Sequence, residues 1–122
     1  MPYLREDVLL ERRKYKRVEF DGPVAYHTRD TNKFAGCLGC DISLGGLKVL
    51  LSEFIALHTE MEVCMNFIDT HTSINLQAQV AWLRKIPYSE MYYAGLKFED
   101  SNLIAERRIR VYVQSHVSPL SY

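Results

Sequence analysis

Apolar and polar residues alternate with period two through most of the middle of the chain. In "SINLQAQVAWL", Ile74, Leu76, Ala78, Val80 and Trp82 share one side, with Asn75, Gln77 and Gln79 on the other. A strand with one face on a core and one in water has this pattern. "MEVCMNFID" repeats it, setting Met61, Val63, Met65 and Phe67 against Glu62, Cys64 and Asn66. "GGLKVLLS" groups Leu47, Val49 and Leu51, and "YYAGLKFED" sets Ala94, Leu96 and Phe98 against Tyr93, Gly95 and Lys97. "FAGCLGCDIS" alternates more loosely and predicts Leu38, Cys40 and Ile42 on one face. Upstream, "RVEFDGPVAYHTRD" is rich in β-branched and aromatic residues, and Asp21-Gly22-Pro23 breaks it with turn chemistry.

Short strands separated by turn signals predict an all-β sandwich or barrel rather than parallel α/β units. One apolar and one polar face per strand predicts an antiparallel sheet curled around a single core. The end of the chain differs. After the cap residues Asp100-Ser101-Asn102 comes "LIAERRIRVYVQSHV", in which Ala105, Ile109, Tyr112, Val113 and His116 fit a helical stripe suited to lying on a barrel. Ile109, Val111 and Val113 also fit a strand. Residues 1–12 read as a tail or a short helical turn.

Composition sets the limits. A chain of 122 residues is one domain with enough length to bury its own core. Basic and acidic residues balance at 15 each, so any attraction to anions must be local. No apolar run approaches the roughly 20 residues of a membrane span. "MPYLREDVLLERRK" mixes acids into a short apolar patch, unlike a signal peptide. The expectation is a cytoplasmic protein without membrane insertion. Three cysteines, an odd number, argue against a disulfide framework. Cys37 and Cys40 form a CxxC without a second ligand pair, and their strand positions face opposite ways, so one belongs to the core and no metal is expected. His27, His58, His71 and His116 are scattered and read as surface or packing residues. The chain lacks a phosphate loop of GxxxxGK type, a GxSxG elbow and a GxGxxG turn, and the expectation is a protein that is not an enzyme and carries no cofactor.

Positive charge is nonetheless concentrated. Five cations fall within six residues from Arg12 to Arg17 in "RRKYKR". Alone, such a run is a solvated edge or a nonspecific polyanion patch. "DISLGG", residues 41–46, is by itself a plain hairpin turn. The Asp-Ser pairing asks for more. Glycines let backbone approach a ligand and leave N–H groups free to donate. A carboxylate accepts hydrogen bonds from the N1–H and N2–H edge of guanine, and a serine hydroxyl serves as donor or acceptor. Arginine grips phosphate bidentately, meets the guanine O6/N7 edge and stacks on base planes. Together the two stretches predict a site for an anionic, guanine-bearing ligand.

These residues carry a resemblance. Arg13-Lys14-Tyr15-Lys16-Arg17 resembles the RxxxR motif of PilZ domains, and Asp41-Ile42-Ser43-Leu44-Gly45-Gly46 resembles their (D/N)xSxxG motif, with about one hairpin of chain between them. The later "VAW" and "AGLKFED" look like the family's closing strands. The resemblance spans about residues 11–117, leaving tails at 1–10 and 118–122. It implies a six-stranded antiparallel β-barrel with a C-terminal α-helix, binding the second messenger cyclic di-GMP. Carried over, Arg13 and Arg17 would grip phosphate and guanine from the segment leading into the barrel. Asp41 and Ser43 would read guanine on the outer surface, and Gly46 would permit close approach. A cation at Arg12 resembles the mark of domains that take an intercalated pair of ligands. Lys14, Gly45 and Trp82 are secondary ligand candidates. Trp82 shares a face with Ile74 through Val80, so core packing is its default, although an aromatic near this point in the family can lie close to the ligand.

Two other readings compete with a cyclic di-GMP receptor that relays its signal to a downstream protein. One is a small β-barrel binding single-stranded nucleic acid, which needs cations spread over several strands. Between Asp41 and Glu99 the strand segments carry only Lys48, Arg84, Lys85 and Lys97, which disfavours nucleic acid. The other is a PilZ fold used only for protein contacts, against which the intact motifs count. A chain this short implies no attached output domain.

Overall fold

The computed structural model describes residues 16–31, 33–99 and 103–117. Among the described residues seven strands and a helix follow one another: β1 (Val18–Glu19), β2 (Pro23–Thr28), β3 (Ala35–Ile42), β4 (Gly46–Leu51), β5 (Glu60–Phe67), β6 (Thr72–Lys85), β7 (Tyr92–Phe98) and α1 (Leu103–His116). A single 3₁₀ turn, Ile68–Thr70, joins β5 to β6. All pairings are antiparallel. The sheet runs β3-β2-β5-β6-β7-β4 and closes on itself because β4 also pairs with β3. This is a closed six-stranded barrel with a C-terminal helix, as the sequence resemblance implies. The two-residue β1 adds to β3 beyond the point where β2 leaves it, pairing Val18 with Ile42 and Glu19 with Asp41.

The period-two pattern fixes which side chains fill the barrel. Leu47, Val49 and Leu51 point inward from β4, Met61, Val63, Met65 and Phe67 from β5, and Ile74, Leu76, Ala78 and Val80 from β6. All are buried. Closure leaves no long free edge between these strands, which removes the usual route to edge-to-edge association.

The helix settles the ambiguity at the chain's end. Ala105, Ile109 and Val113 are its buried residues, four apart, so they form one stripe. Tyr112 completes the seat. Its ring lies 5.6 Å from Phe20 and 5.2 Å from Phe67, and Phe20 and Phe67 are themselves 5.5 Å apart. Aromatic contacts of this kind add about 0.5–1.5 kcal/mol each beyond area burial. The Tyr112 hydroxyl also donates to the Glu19 carbonyl at 3.0 Å, tying the helix to β1. A strand over 109–113 would have grouped Val111 with Ile109 and Val113 and turned Tyr112 to the other face, whereas in the helix Val111 is exposed and Tyr112 packs on Phe20 and Phe67. The cap sequence Asp100-Ser101-Asn102 lies outside the described residues.

Two expectations from simple alternation fail, for the same reason. Leu38 is 54% exposed, although alternation groups it with the buried Ile42. The inward positions of β3 are instead Ala35 and Cys37, which pack on the core, the buried Gly39, and then Ile42. Trp82 is 37% exposed, although alternation groups it with the buried Val80. In both strands the register slips by one residue, between Gly39 and Asp41 in β3 and between Val80 and Trp82 in β6. A β-bulge inserts one unpaired residue and so reverses the facing of everything beyond it. In β3 the bulge sits where the partner strand changes. Phe20 donates its N–H to the Cys40 carbonyl and Gly39 donates to the Gly22 carbonyl. A Cβ at Gly39 would collide with Phe20, so only glycine fits under that ring.

Candidate functional site

The bulges place the site. With Cys37 facing inward, unbroken alternation would also turn Asp41 into the core and Ile42 out of it. The extra residue reverses both. Asp41 reaches the outer surface and Ile42 is fully buried. In β6 the same device carries Trp82 outward while Leu83 turns back to pack on the core.

The strand pairings then join these two positions. Asp41 lies opposite Lys48, Lys48 opposite Gly95, and Gly95 opposite Trp82. The row crosses three strand spacings, about 14 Å. Its middle is kept low by Gly95, because the Trp82 indole lies where a Cβ at Gly95 would sit. The Lys48 ammonium lies 4.5 Å from the centre of the Tyr93 ring, and the Arg84 guanidinium 6.0 Å from that of Trp82. The result is an outward shelf with a carboxylate at one end, an indole at the other and cations between and beside them.

Arg17 joins the shelf from the segment leading into β1. Its Nη1 donates to Asp41 Oδ1 at 2.8 Å. The two motifs, 24 positions apart in sequence, therefore meet side chain to side chain. Both groups are partly exposed, at 47% for Arg17 and 27% for Asp41, so other donors and acceptors can reach them. Arg12, Arg13 and Lys14 lie outside the described residues.

The rest of "DISLGG" builds the β3–β4 loop. Ser43 is the single buried polar side chain among the described residues, and its Oγ accepts from the Gly45 N–H at 3.1 Å. The Ser43 N–H donates to the Gly46 carbonyl at 2.9 Å, and the Gly45 carbonyl accepts from the Phe98 N–H at 3.0 Å. Gly46 packs so closely on the Leu96 carbonyl that a Cβ would collide with it. Ser43 and Gly46 thus shape the loop, and Asp41 is the member of the motif whose side chain faces solvent. Sequence reasoning did not single out Lys48, Tyr93, Arg84 or Gly95. Alternation marks Lys48, Tyr93 and Gly95 as outward, the β6 bulge turns Arg84 outward with Trp82, and a glycine inside a strand hints at close packing, yet only strand pairing makes them neighbours of Asp41.

Electrostatics near the site are mild. Burial pushes the Cys40 thiol up, with Lys48 opposing and Asp41 reinforcing. Burial pushes the Cys37 thiol up to about 12, with Cys40 adding to the rise. Among the described residues no three His, Cys, Asp or Glu side chains gather as a metal site. No helix among them is long and apolar enough to cross a membrane.

Comparison with known proteins agrees with this architecture. The PilZ domain family model matches residues 11–115. An uncharacterized protein of Aquifex aeolicus is 31% identical over 108 residues, covering 88% of this chain and 51% of that protein. The chain thus spans about half the length of the curated relative it matches. Among solved structures, the PilZ domain of YcgR from Escherichia coli with c-di-GMP superposes with a TM-score of 0.68 at 20% identity, over 86% of this chain and 91% of that one. The Bacillus subtilis inhibitor of motility, MotI/DgrA, gives 0.71 at 17% identity, over 84% of this chain and 50% of that one. PlzA of Borreliella burgdorferi in complex with c-di-GMP gives 0.61 at 17%, over 89% and 45%. With a family model matching nearly its whole length, and with the closed barrel and terminal helix in place, this chain belongs to the PilZ domain family.

Proposed function

We propose that this domain is a receptor for cyclic di-GMP and passes the signal to a downstream protein. The observation that carries the reading is the 2.8 Å contact between Arg17 and Asp41, which brings the RxxxR and DxSxxG motifs to one point on the outer barrel surface. Relatives of the same fold, YcgR and PlzA, were crystallised with c-di-GMP. Arg13 and Arg17, with Arg12 beside them, supply the forks that suit phosphate oxygens and the guanine O6/N7 edge. Asp41 supplies the acceptor for the N1–H and N2–H edge, a pairing adenine does not offer. The shelf from Lys48 to Trp82 offers a further cation and an aromatic face. Ser43, Gly45 and Gly46 hold the loop so that Asp41 stays at the rim. In the free protein Arg17 and Asp41 neutralise each other, and the guanidinium retains donors for an incoming phosphate.

Calorimetric titration with cyclic di-GMP, beside GTP and a short single-stranded oligonucleotide, tests the reading. Cyclic di-GMP is expected to bind, and Arg17→Ala is expected to cut its affinity ten-fold or more, since charge-assisted hydrogen bonds contribute roughly 1.5–3 kcal/mol. The fold stays intact in that variant, because an exposed ion pair adds at most about 1 kcal/mol to stability. Binding of the oligonucleotide in preference to cyclic di-GMP, or equal affinity in Arg17→Ala, overturns the proposal.

A further inference from the structure

A groove of about 310 Å³ runs between α1 and the end of the β5–β6 hairpin. Phe67, Ile104, Arg107, Arg108, Val111 and Tyr112 line it. The stripe Ala105, Ile109 and Val113 already secures the helix to the barrel, so Ile104 and Val111 project elsewhere. They are 71% and 54% exposed. Among the described residues Arg107 and Arg108 have no acidic partner, whereas Arg110 pairs with Glu106 at 3.0 Å. The groove therefore suits an occupant that is both apolar and acidic.

The chain carries one. "YLREDVLLE", residues 3–11, sets Leu4, Val8, Leu9 and Leu10 beside Glu6, Asp7 and Glu11. It lies outside the described residues, and the chain it leads into is anchored at the groove. Tyr112, a lining residue, donates to the Glu19 carbonyl. The eight residues from Glu11 to Glu19 reach about 26–29 Å when extended. A 14-residue helix is about 21 Å long. Every part of the groove is within reach. Tethering on so short a linker gives an effective concentration of order millimolar, which favours this segment over a second copy at ordinary protein concentrations.

We propose that residues 3–11 dock in this groove, with Val8, Leu9 and Leu10 against Ile104 and Val111, and their acids facing Arg107 and Arg108. The proposal goes beyond the receptor reading and does not depend on it.

The test uses the full chain without cyclic di-GMP, followed by amide hydrogen exchange and amide chemical shifts. The double variant Leu9→Glu/Leu10→Glu is expected to lower protection of α1 amides around Val111 by about ten-fold, as for loss of a packed neighbour. Val111→Glu, at an exposed position that leaves the fold intact, is expected to shift the amides of residues 8–10. Combining the variants adds nothing, because both remove one contact. Arg107→Glu/Arg108→Glu weakens docking and Glu6→Lys/Asp7→Lys restores it. Unchanged α1 amides in Leu9→Glu/Leu10→Glu overturn the proposal and leave the groove to another molecule. Effects that scale with protein concentration also overturn it and assign the groove to a second copy.

Discussion

Asp41 holds Arg17 through Oδ1 at the rim of a surface loop, where a surface ion pair contributes little to folding. In the proposed function its position serves recognition rather than stability, and that distinction is measurable. Asp41→Ala is expected to weaken cyclic di-GMP about ten-fold and cyclic di-AMP markedly less, because the carboxylate answers guanine donors that adenine lacks. Parallel calorimetric titrations with the two dinucleotides check it, and equal losses would make Asp41 a purely structural residue. Ser43 sits at the other extreme. It is buried, with its hydroxyl accepting from Gly45, so its part in the site is to fix the backbone that presents Asp41.

Among the elements, the helix and the two bulged strands do different work. α1 is joined to the barrel by a narrow seam, in which Ile109 is 1% exposed. Ile109→Ala is expected to cost roughly 2–5 kcal/mol, read from urea denaturation at constant m-value. The helix pattern was legible in sequence because three apolar positions four apart meet Tyr112 on one side. The bulges in β3 and β6 were not. A bulge is stabilised by what lies across the sheet, here Phe20 over Gly39 and the Gly95 gap under Trp82, and neither is near in sequence to the slip it permits. Alternation therefore predicted the strands and most of the core correctly, and misplaced Leu38 and Trp82.

For the molecule as a whole, one consequence is electrostatic and one is stoichiometric. Partial burial pushes the Cys37 thiol up to about 12 in the folded state, far above its value in an unfolded chain, about 8.5. The unfolded chain releases this proton first as pH rises. Stability is thus full below about pH 8.5 and declines between there and about pH 12. Tyr26, pushed up by burial and by its hydrogen bond to Glu53, acts in the same direction. Denaturant melts at about pH 8 and about pH 10.5 are expected to show this loss, and Cys37→Ala to lessen it. Stoichiometry turns on Arg12. An intercalated pair of cyclic di-GMP brings four phosphates and needs cations beyond Arg13 and Arg17. Two ligands per chain are expected, with Arg12→Leu moving the ratio toward one. Calorimetry well above the dissociation constant decides it, and a ratio of one in both proteins rules the paired mode out.

The sequence alone determined the inventory: an all-β chain with an amphipathic ending, the inward residues of β4, β5 and the first part of β6, and two motifs with the chemistry for an anionic guanine ligand. Those features are local, because a strand's facing and a motif's chemistry are written in consecutive residues. Tertiary structure decided where the chemistry stands. Lys48, Gly95 and Trp82 become neighbours of Asp41 only through pairings between strands distant in sequence, and Asp41 and Trp82 face outward only because each strand slips by one residue. A slip of one position inverts every side chain beyond it, and its cause lies in the packing of other strands, so the pattern within a strand carries no trace of it.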